Sequence, residues 1–268
     1  MIDIKNIAKL NSQFFLIAGP CIVENEDSCF EIANHLNNLC QQYDIAYVFK
    51  ASYKKANRTR LDSFTGIGDE KALRIIDSVR CEFDIPAITD IHESKDAVIA
   101  SKYVNALQIP AFLSRQTDLI VAAAKTGLVV NIKKAQFSAP SAMIHSVQKV
   151  IDSGNNNVWI TERGSSFGYQ NLVVDFSGFP VMKSLNKPLI LDCTHSLQVP
   201  NQSNGVTGGK PEYIETISKA GIAAGVDGLF METHPKPSES KSDGANMLPL
   251  NEMEVLLEKL CRIRAALD

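Results

Sequence analysis

Four residues far apart in the chain, Cys21, His195, Glu232 and Asp243, offer a thiol, an imidazole and two carboxylates. That donor set suits a divalent transition metal, because borderline-soft ions accept sulfur and nitrogen beside oxygen. No Cys-x-x-Cys or His-Glu-x-x-His cluster links them, and a lone cysteine after a strand is also an ordinary packing residue, so residue type leaves both readings open. A second group is cationic: Lys50, Lys55, Lys133, Lys134 and Arg163. Gathered around one space they would hold phosphate or carboxylate through charge-assisted hydrogen bonds. Taken singly, each reads equally well as solvated surface charge. No glycine pattern of the phosphate-loop or dinucleotide type opens a helix, so a nucleotide is not indicated. His35 and His145 fall within helical patterns, while His92 and His234 read as structural hydrogen-bonders.

What must position these groups is a set of short β-branched runs: Phe14–Ala18, Ala46–Lys50, Ala87–Ile91, Ala106–Ile109, Leu128–Ile132, Val158–Thr161, Leu189–Leu191 and Gly228–Met231. Most are apolar almost throughout, as parallel strands buried on both faces are. Amphipathic helical patterns separate them. Asp27–Cys40 places Cys29, Ile32, Ala33, Leu36, Leu39 and Cys40 on one face. Ser114 is expected to cap a helix that runs to Lys125 and stops at Gly127. Asn251 and Glu254 form a capping-box-like start to a last helix whose stripe is Met253, Leu256, Leu257, Leu260, Ile263 and Leu267. Eight strands alternating with helices predict an α/β fold, a (β/α)8 TIM barrel, with an open doubly wound sheet as the alternative.

In such a barrel the active site lies at the C-terminal strand ends, and those ends are consistently polar here. Cys21 and Glu24 follow the first run; Lys50, Ser52, Lys55, Asn57 and Arg58 the second; Asp90 and His92 the third; Gln108 the fourth. Asn131, Lys133 and Lys134 end the fifth, Glu162 and Arg163 the sixth, Asp192 and His195 the seventh, Glu232 and His234 the eighth. The stretches Pro200–Pro211 and Pro235–Pro249 read as mobile loops able to act as lids.

The 268 residues suit one domain, residues 1–268, with a short N-terminal extension (1–13). A formal net charge of -3 with no long Lys/Arg run gives no footprint for nucleic acid or an anionic membrane, so any anion site is local. No stretch reaches the roughly 18 apolar residues of a membrane span, and the N-terminus lacks a secretory pattern. Six cysteines without paired spacing fit reduced thiols in a cytoplasmic enzyme.

Several segments together carry a specific resemblance: Gly19-Pro20-Cys21, Phe49-Lys50-Ala51-Ser52, Lys55-Ala56-Asn57-Arg58, Thr89-Asp90-Ile91-His92, and Gln108 through Thr117. Asn131-Ile132-Lys133-Lys134, Arg163 through Tyr169, Thr194 through Gln198 and Ser242-Asp243-Gly244 extend it over most of the chain. The chain resembles the 3-deoxy-D-manno-octulosonate 8-phosphate synthases. The resemblance implies an enzyme that condenses phosphoenolpyruvate with D-arabinose 5-phosphate and water, an early step of lipopolysaccharide (KDO) biosynthesis. It also implies that Lys50, Ser52, Lys55, Gln108, Lys133, Arg163 and His195 hold phosphoenolpyruvate. The arabinose 5-phosphate would lie farther out, its phosphate met by Arg58 and Thr59 and its hydroxyls by Asn57, Asp90 and Gln198. Lys50, Lys55, Asp90, Lys133, Arg163 and His195 would be the catalytic set, with proton transfers left open among Asp90, His195 and a water at the metal. A homo-oligomer, usually a tetramer, is further implied.

The family divides between members with Cys after the first strand, which bind a divalent metal, and members with Asn there, which do not. By this resemblance Cys21 implies a metal held by Cys21, His195, Glu232 and Asp243, be it zinc, iron(II) or manganese, and Ser242 before Asp243 fits the same class. Two departures stand out: Thr59-Arg60 replaces the usual serines, so that Arg60 is expected to add a charge at the sugar phosphate, and the loop from Pro200 to Lys210 is rich in Asn. The nearest rival, the 3-deoxy-arabino-heptulosonate 7-phosphate synthases, use erythrose 4-phosphate, and Lys55-Ala56-Asn57-Arg58 argues against them. A non-catalytic barrel that senses a sugar phosphate is a rival of another class, disfavoured by the complete set of strand-end groups.

Overall fold

The computed structural model describes residues 3–9, 13–199 and 208–267. Eight parallel strands, β1 (Phe15–Gly19), β2 (Ala46–Lys50), β3 (Ala87–Asp90), β4 (Ala106–Ile109), β5 (Val129–Lys133), β6 (Val158–Glu162), β7 (Leu189–Asp192) and β8 (Gly228–His234), pair in chain order. β1 pairs with β8 from Phe15↔Gly228 to Gly19↔Glu232, which closes the sheet on itself and rules out the open doubly wound alternative. Each strand is followed by a helix: α1 (Glu26–Gln42), α2 (Asp69–Glu82), α3 (Ser94–Ala100), α4 (Thr117–Lys125), α5 (Met143–Asp152), α6 (Gly178–Lys183), α7 (Ile214–Ala223) and α8 (Met253–Ala265). The fold is the expected (β/α)8 barrel.

The strands are apolar on both faces because alternate residues serve two cores. Leu16, Ala18, Tyr47, Phe49, Leu107, Ile160, Leu191 and Leu229 face the helix layer. Phe15, Ile17, Ala46, Val48, Ile88, Ala106, Val129, Trp159, Ile190 and Phe230 fill the barrel, and Ile4 and Ile7 of a 3-10 turn at Ile4–Lys9 join that inner cluster. Gly228 makes room for it, since a Cβ there would strike the Phe15 ring. Among the described residues no helix is long and apolar enough to cross a membrane.

All six residues expected on the inner face of α1 are buried, and Asn25 caps that helix by accepting from the Ser28 amide at 2.8 Å. Two expected helix starts are displaced. α4 begins at Thr117, not at Ser114, because a 3-10 turn at Ala111–Leu113 intervenes and the Ser114 carbonyl instead accepts from Ser146. α8 begins at Met253 after a 3-10 turn, without a side-chain cap from Asn251, and Leu267 lies beyond it, exposed. Most of the Pro200–Pro211 loop, residues 200–207, lies outside the described residues.

Candidate active site

The two-residue alternation that fills the barrel continues upward into polar side chains. Two positions beyond Val48, Ile88, Ala106, Val129, Trp159, Ile190 and Phe230 stand Lys50, Asp90, Gln108, Asn131, Thr161, Asp192 and Glu232, all buried. One step further in the same phase come Lys133 and Arg163. Of these, Lys50, Asp90, Gln108, Lys133 and Arg163 line one cavity of about 430 Å3 at the C-terminal mouth, together with Lys55, Asn57, Arg58, Thr59, His195, Gln198 and Asp243, while Asn131, Thr161, Asp192 and Glu232 lie buried behind its wall. Cys21, Ser52 and Glu232 are fully buried. Lys134 is out of phase and does not join the others. Its ammonium is held by the Ala135 and Ser138 carbonyls, Ser165 Oγ at 2.9 Å and Glu162 at 3.4 Å, which ties the β5 and β6 loops together.

Phe230 is the floor beneath the anion-binding pole. Lys133 Nζ stands 3.7 Å from its ring centroid and Lys50 Nζ 5.4 Å, so the ring's negative face meets two buried cations. Lys50 donates to Glu232 Oε1 at 2.7 Å and to Ser52 Oγ and the Cys21 carbonyl at 3.2 Å, with Asp90 at 3.7 Å. Burial, the largest influence, disfavours its charge, but Glu232, Asp90 and Cys21 together outweigh that and hold its pKa above the ordinary lysine value. Lys133 donates to Asp192 at 2.6 Å; here burial prevails and the pKa falls below the ordinary value. Arg163 donates through Nη2 to Gln198 at 2.7 Å, while its buried Nη1 has no partner among the described residues. A buried guanidinium nitrogen without a protein partner, in a cavity that two ammonium groups also line, is suited to bind an anion.

A polar ladder crosses the strands beneath this pole. Thr161 donates to Asn131 at 2.7 Å, Asn131 to Gln108 at 2.9 Å, and Gln108 to Asp90 Oδ1, while Ser52 donates to Asp90 Oδ2. Both Asp90 oxygens thus act as acceptors. Although burial alone would raise its pKa, Lys50, Lys55 and Lys133 hold the carboxyl well below the usual range. Lys55, half-buried over the cavity, has its pKa raised; burial opposes this, but Cys21, Glu232 and Asp90 win.

Next to Lys50, donor atoms of Cys21, Glu232 and Asp243 lie within 4.8 Å of one another. Cys21 Sγ is 3.4 Å from Asp243 Oδ2 and 3.1 Å from Ser242 Oγ. The fourth expected ligand, His195, sits beside this trio with Nε2 3.5 Å from Glu232 Oε2, an oxygen that is buried and has no hydrogen-bond partner among the described residues. Burial, then Glu232, pushes the Cys21 thiol far up. A thiol and two carboxylates crowded around an orphaned oxygen repel one another when ionised, and a divalent cation removes the repulsion. The residues fit the metal. A close approach builds this corner: a Cβ on Gly19 would run into the Lys50 carbonyl oxygen, and Asp243 adopts the left-handed conformation (φ 52°).

Farther out, Arg58 donates to Ser242 Oγ at 2.8 Å and to the Phe64 carbonyl at 3.0 Å, with Asn57 and Thr59 exposed at the rim. Arg60 does not add its charge to the cavity; it pairs with Asp62 on the surface. The Pro235–Pro249 segment is seated rather than free. Glu24 accepts from Ser240 at 2.9 Å and from the Lys241 amide at 2.8 Å, and Thr233 pairs with Leu248. His234 does serve as a hydrogen-bonder, to Lys236, but His92 lines the cavity with its Nδ1 unpartnered among the described residues. Sequence reasoning named Asn131 and Asp192 as strand-end polars, Asn131 also within a family-like segment, without a role for either, and passed over Thr161 and Phe230; the strand phase carries the signal for all four.

The DAHP synthetase I family model matches residues 3–267. The 2-dehydro-3-deoxyphosphooctonate aldolase of Koribacter versatilis (strain Ellin345) is 50% identical over 266 residues, 98% of this chain and 95% of that protein. Those of Cyanothece sp. (strain PCC 7425 / ATCC 29141) and Agrobacterium fabrum (strain C58 / ATCC 33970) are 47% and 51% identical, covering 95% and 92% of this chain and 93% and 88% of theirs. With a closed barrel, a cationic cavity and relatives that align over nearly its whole length, the chain belongs to the DAHP synthetase I family, among its 2-dehydro-3-deoxyphosphooctonate aldolases.

Proposed function

We propose that the chain condenses phosphoenolpyruvate with D-arabinose 5-phosphate and water to give 3-deoxy-D-manno-octulosonate 8-phosphate and inorganic phosphate, as a cytoplasmic enzyme. The observation that carries this is one cavity lined by an anion pole, Lys50, Lys133 and Arg163, whose Nη1 has no partner among the described residues, and by Asp243 and His195 of the thiol and carboxylate corner. In the reaction C3 of the enol attacks the aldehyde carbon, water adds at C2, and the C2–oxygen bond breaks to release phosphate.

Lys50, Lys55, Lys133 and Arg163 bind the carboxylate and phosphate of phosphoenolpyruvate and stabilise the charge that accumulates on the departing phosphate. Gln108, oriented by Asp90, keeps a second N–H as a neutral donor to phosphoenolpyruvate, while Ser52, whose hydroxyl hydrogen goes to Asp90, accepts from Lys50 and holds both groups in place at the substrate. Asp90 itself, kept ionised, acts as an acceptor toward a sugar hydroxyl rather than as an acid. Arg58 and Thr59 receive the sugar phosphate at the rim, with Asn57 and Gln198 on its hydroxyls. Cys21, His195, Glu232 and Asp243 would hold zinc, iron(II) or manganese, and the bound ion supplies Lewis acidity toward an aldehyde or a water. Thiolate and imidazole ligands favour such ions over magnesium or calcium.

A homo-oligomer, a tetramer in this reading, is supported by exposed apolar side chains on the loops after three neighbouring strands: Phe112 after β4, Phe137 after β5, Phe167 and Tyr169 after β6. A second copy of the chain covers them. Residues 1–268 act as one domain whose N-terminal extension contributes Ile4 and Ile7 to the barrel core.

The test is phosphate release by the purified chain from phosphoenolpyruvate with arabinose 5-phosphate or erythrose 4-phosphate, before and after chelation and after metal is restored. Release with the five-carbon aldehyde that chelation stops and metal restores is expected. Faster release with erythrose 4-phosphate, or none with either, would overturn the assignment.

A further inference from the structure

Asp192 ends β7 and is fully buried behind the cavity. Its two oxygens do different work. Oδ1 accepts from the backbone amides of Thr194 at 3.1 Å and His195 at 2.8 Å, shaping the turn that carries the imidazole. Oδ2 accepts from His195 Nδ1 at 2.8 Å and from Lys133 Nζ at 2.6 Å. One oxygen atom is therefore shared between the metal corner and the anion pole.

The donor directions follow from chemistry. An ionised carboxylate only accepts and an ammonium only donates, so Nδ1, 2.8 Å from the former and 3.5 Å from the latter, must carry a proton to sit where it does. In the neutral ring that leaves the lone pair on Nε2, which faces the orphaned Oε2 of Glu232 at 3.5 Å. A metal needs a lone pair there, and a partner on the far nitrogen both fixes the ring and strengthens it as a ligand. The same oxygen restrains Lys133 over the Phe230 ring.

We infer that Asp192 is a positioning residue joining the two halves of the site: it holds His195 in the tautomer that ligates metal and places Lys133 to meet the substrate anion. The inference rests on the metal and phosphoenolpyruvate reading above. Asp192→Asn is nearly isosteric, and its remaining oxygen can still accept the Thr194 and His195 amides. Its NH2, however, presents donors to Nδ1 and to the Lys133 ammonium. The ring is then driven to the other tautomer, and the lysine is pushed from its place.

Two titrations read the two halves separately: Co2+ into the metal-free protein, and phosphoenolpyruvate into the metal-free protein, each for wild type and Asp192→Asn. Co2+ affinity is expected to fall about 10- to 100-fold, and phosphoenolpyruvate affinity roughly tenfold, the scale of one hydrogen bond to a charged group. The Cys21 thiolate-to-cobalt charge-transfer band should persist, which separates loss of one ligand from collapse of the corner. Nitrogen-15 spectra of histidine-labelled, metal-free wild type at pH 8 need no variant, and should show His195 protonated on Nδ1 and bare on Nε2. Failure of wild type to bind either ligand removes the functional reading itself. Binding of both by wild type with either affinity unchanged in Asp192→Asn, or an Nε2–H tautomer in wild type, overturns the role of Asp192 alone.

Discussion

Replacing Lys50 by Met removes a buried charge while nearly preserving volume, and separates stability from catalysis. Glu232 Oε1 loses its donor at 2.7 Å, and Oε2 has no hydrogen-bond partner among the described residues, so the buried carboxylate loses its nearest cation. Removing one partner of a buried pair costs about 3–5 kcal/mol. An unfolding entropy of about 2.1 cal/mol/K per residue makes each kcal/mol worth roughly 2 °C in a chain of 268 residues, so the metal-free variant should melt about 5–9 °C below wild type. A divalent ion should reverse much of this. The ammonium competes with metal for Glu232, so its removal tightens metal binding, and ligand at about 100 times its Kd stabilises by about 2.7 kcal/mol. Activity should not return, because the lost group faces the substrate anion: kcat/KM should stay down about 10²- to 10³-fold, the usual effect of removing one donor from a developing negative charge. Scanning calorimetry with and without Zn2+, beside a phosphate-release assay, reads both quantities. A metal-free melting point within 2 °C of wild type, or a metal-induced rise no larger than wild type's, would refute the reasoning.

Cys21→Ala should abolish turnover by deleting a metal ligand, whereas Cys21→Asn should retain some activity in the manner of family members with Asn there; equal and undiminished phosphate release by both variants would falsify the ligand assignment. Acid stability provides a further check on the metal-free protein. Burial would raise the pKa of Glu232, but Lys50, His195 and Lys55 bring it from 4.5 to about 2. Its folded-state pKa is depressed, so its contribution is complete above about pH 4.5 and is lost as pH falls toward 2, a total near 3 kcal/mol. Glu232→Gln should therefore flatten the loss of urea stability between pH 5 and pH 3, and an unchanged slope would count against the Lys50–Glu232 pair.

Much of the site was legible because strand alternation is local. Lys50 follows Val48 by two residues, Asp90 follows Ile88 and Glu232 follows Phe230, so each must point into the barrel once its strand has both faces buried. The same rule separates Lys133 from Lys134, which residue type had grouped together; a single-residue step sends the second to the loops outside. Arg60 and the helix starts were misjudged because an exposed partner, Asp62, and short 3-10 turns compete with the nominal cap or anion at little energetic cost.

By itself, then, the chain's order of residues determined eight strand-like runs, their inward phase and the chemical inventory at their ends, since each depends only on neighbours along the backbone. What tertiary structure alone decided is which ends meet. The β1–β8 pairing brings Cys21 to Glu232, and the seating of residues 240–243 by Glu24 brings Asp243 to both. A ring of parallel strands sets Asp192 against Lys133 and His195 at one oxygen atom, a contact between groups 59 residues apart and three apart that no local pattern encodes.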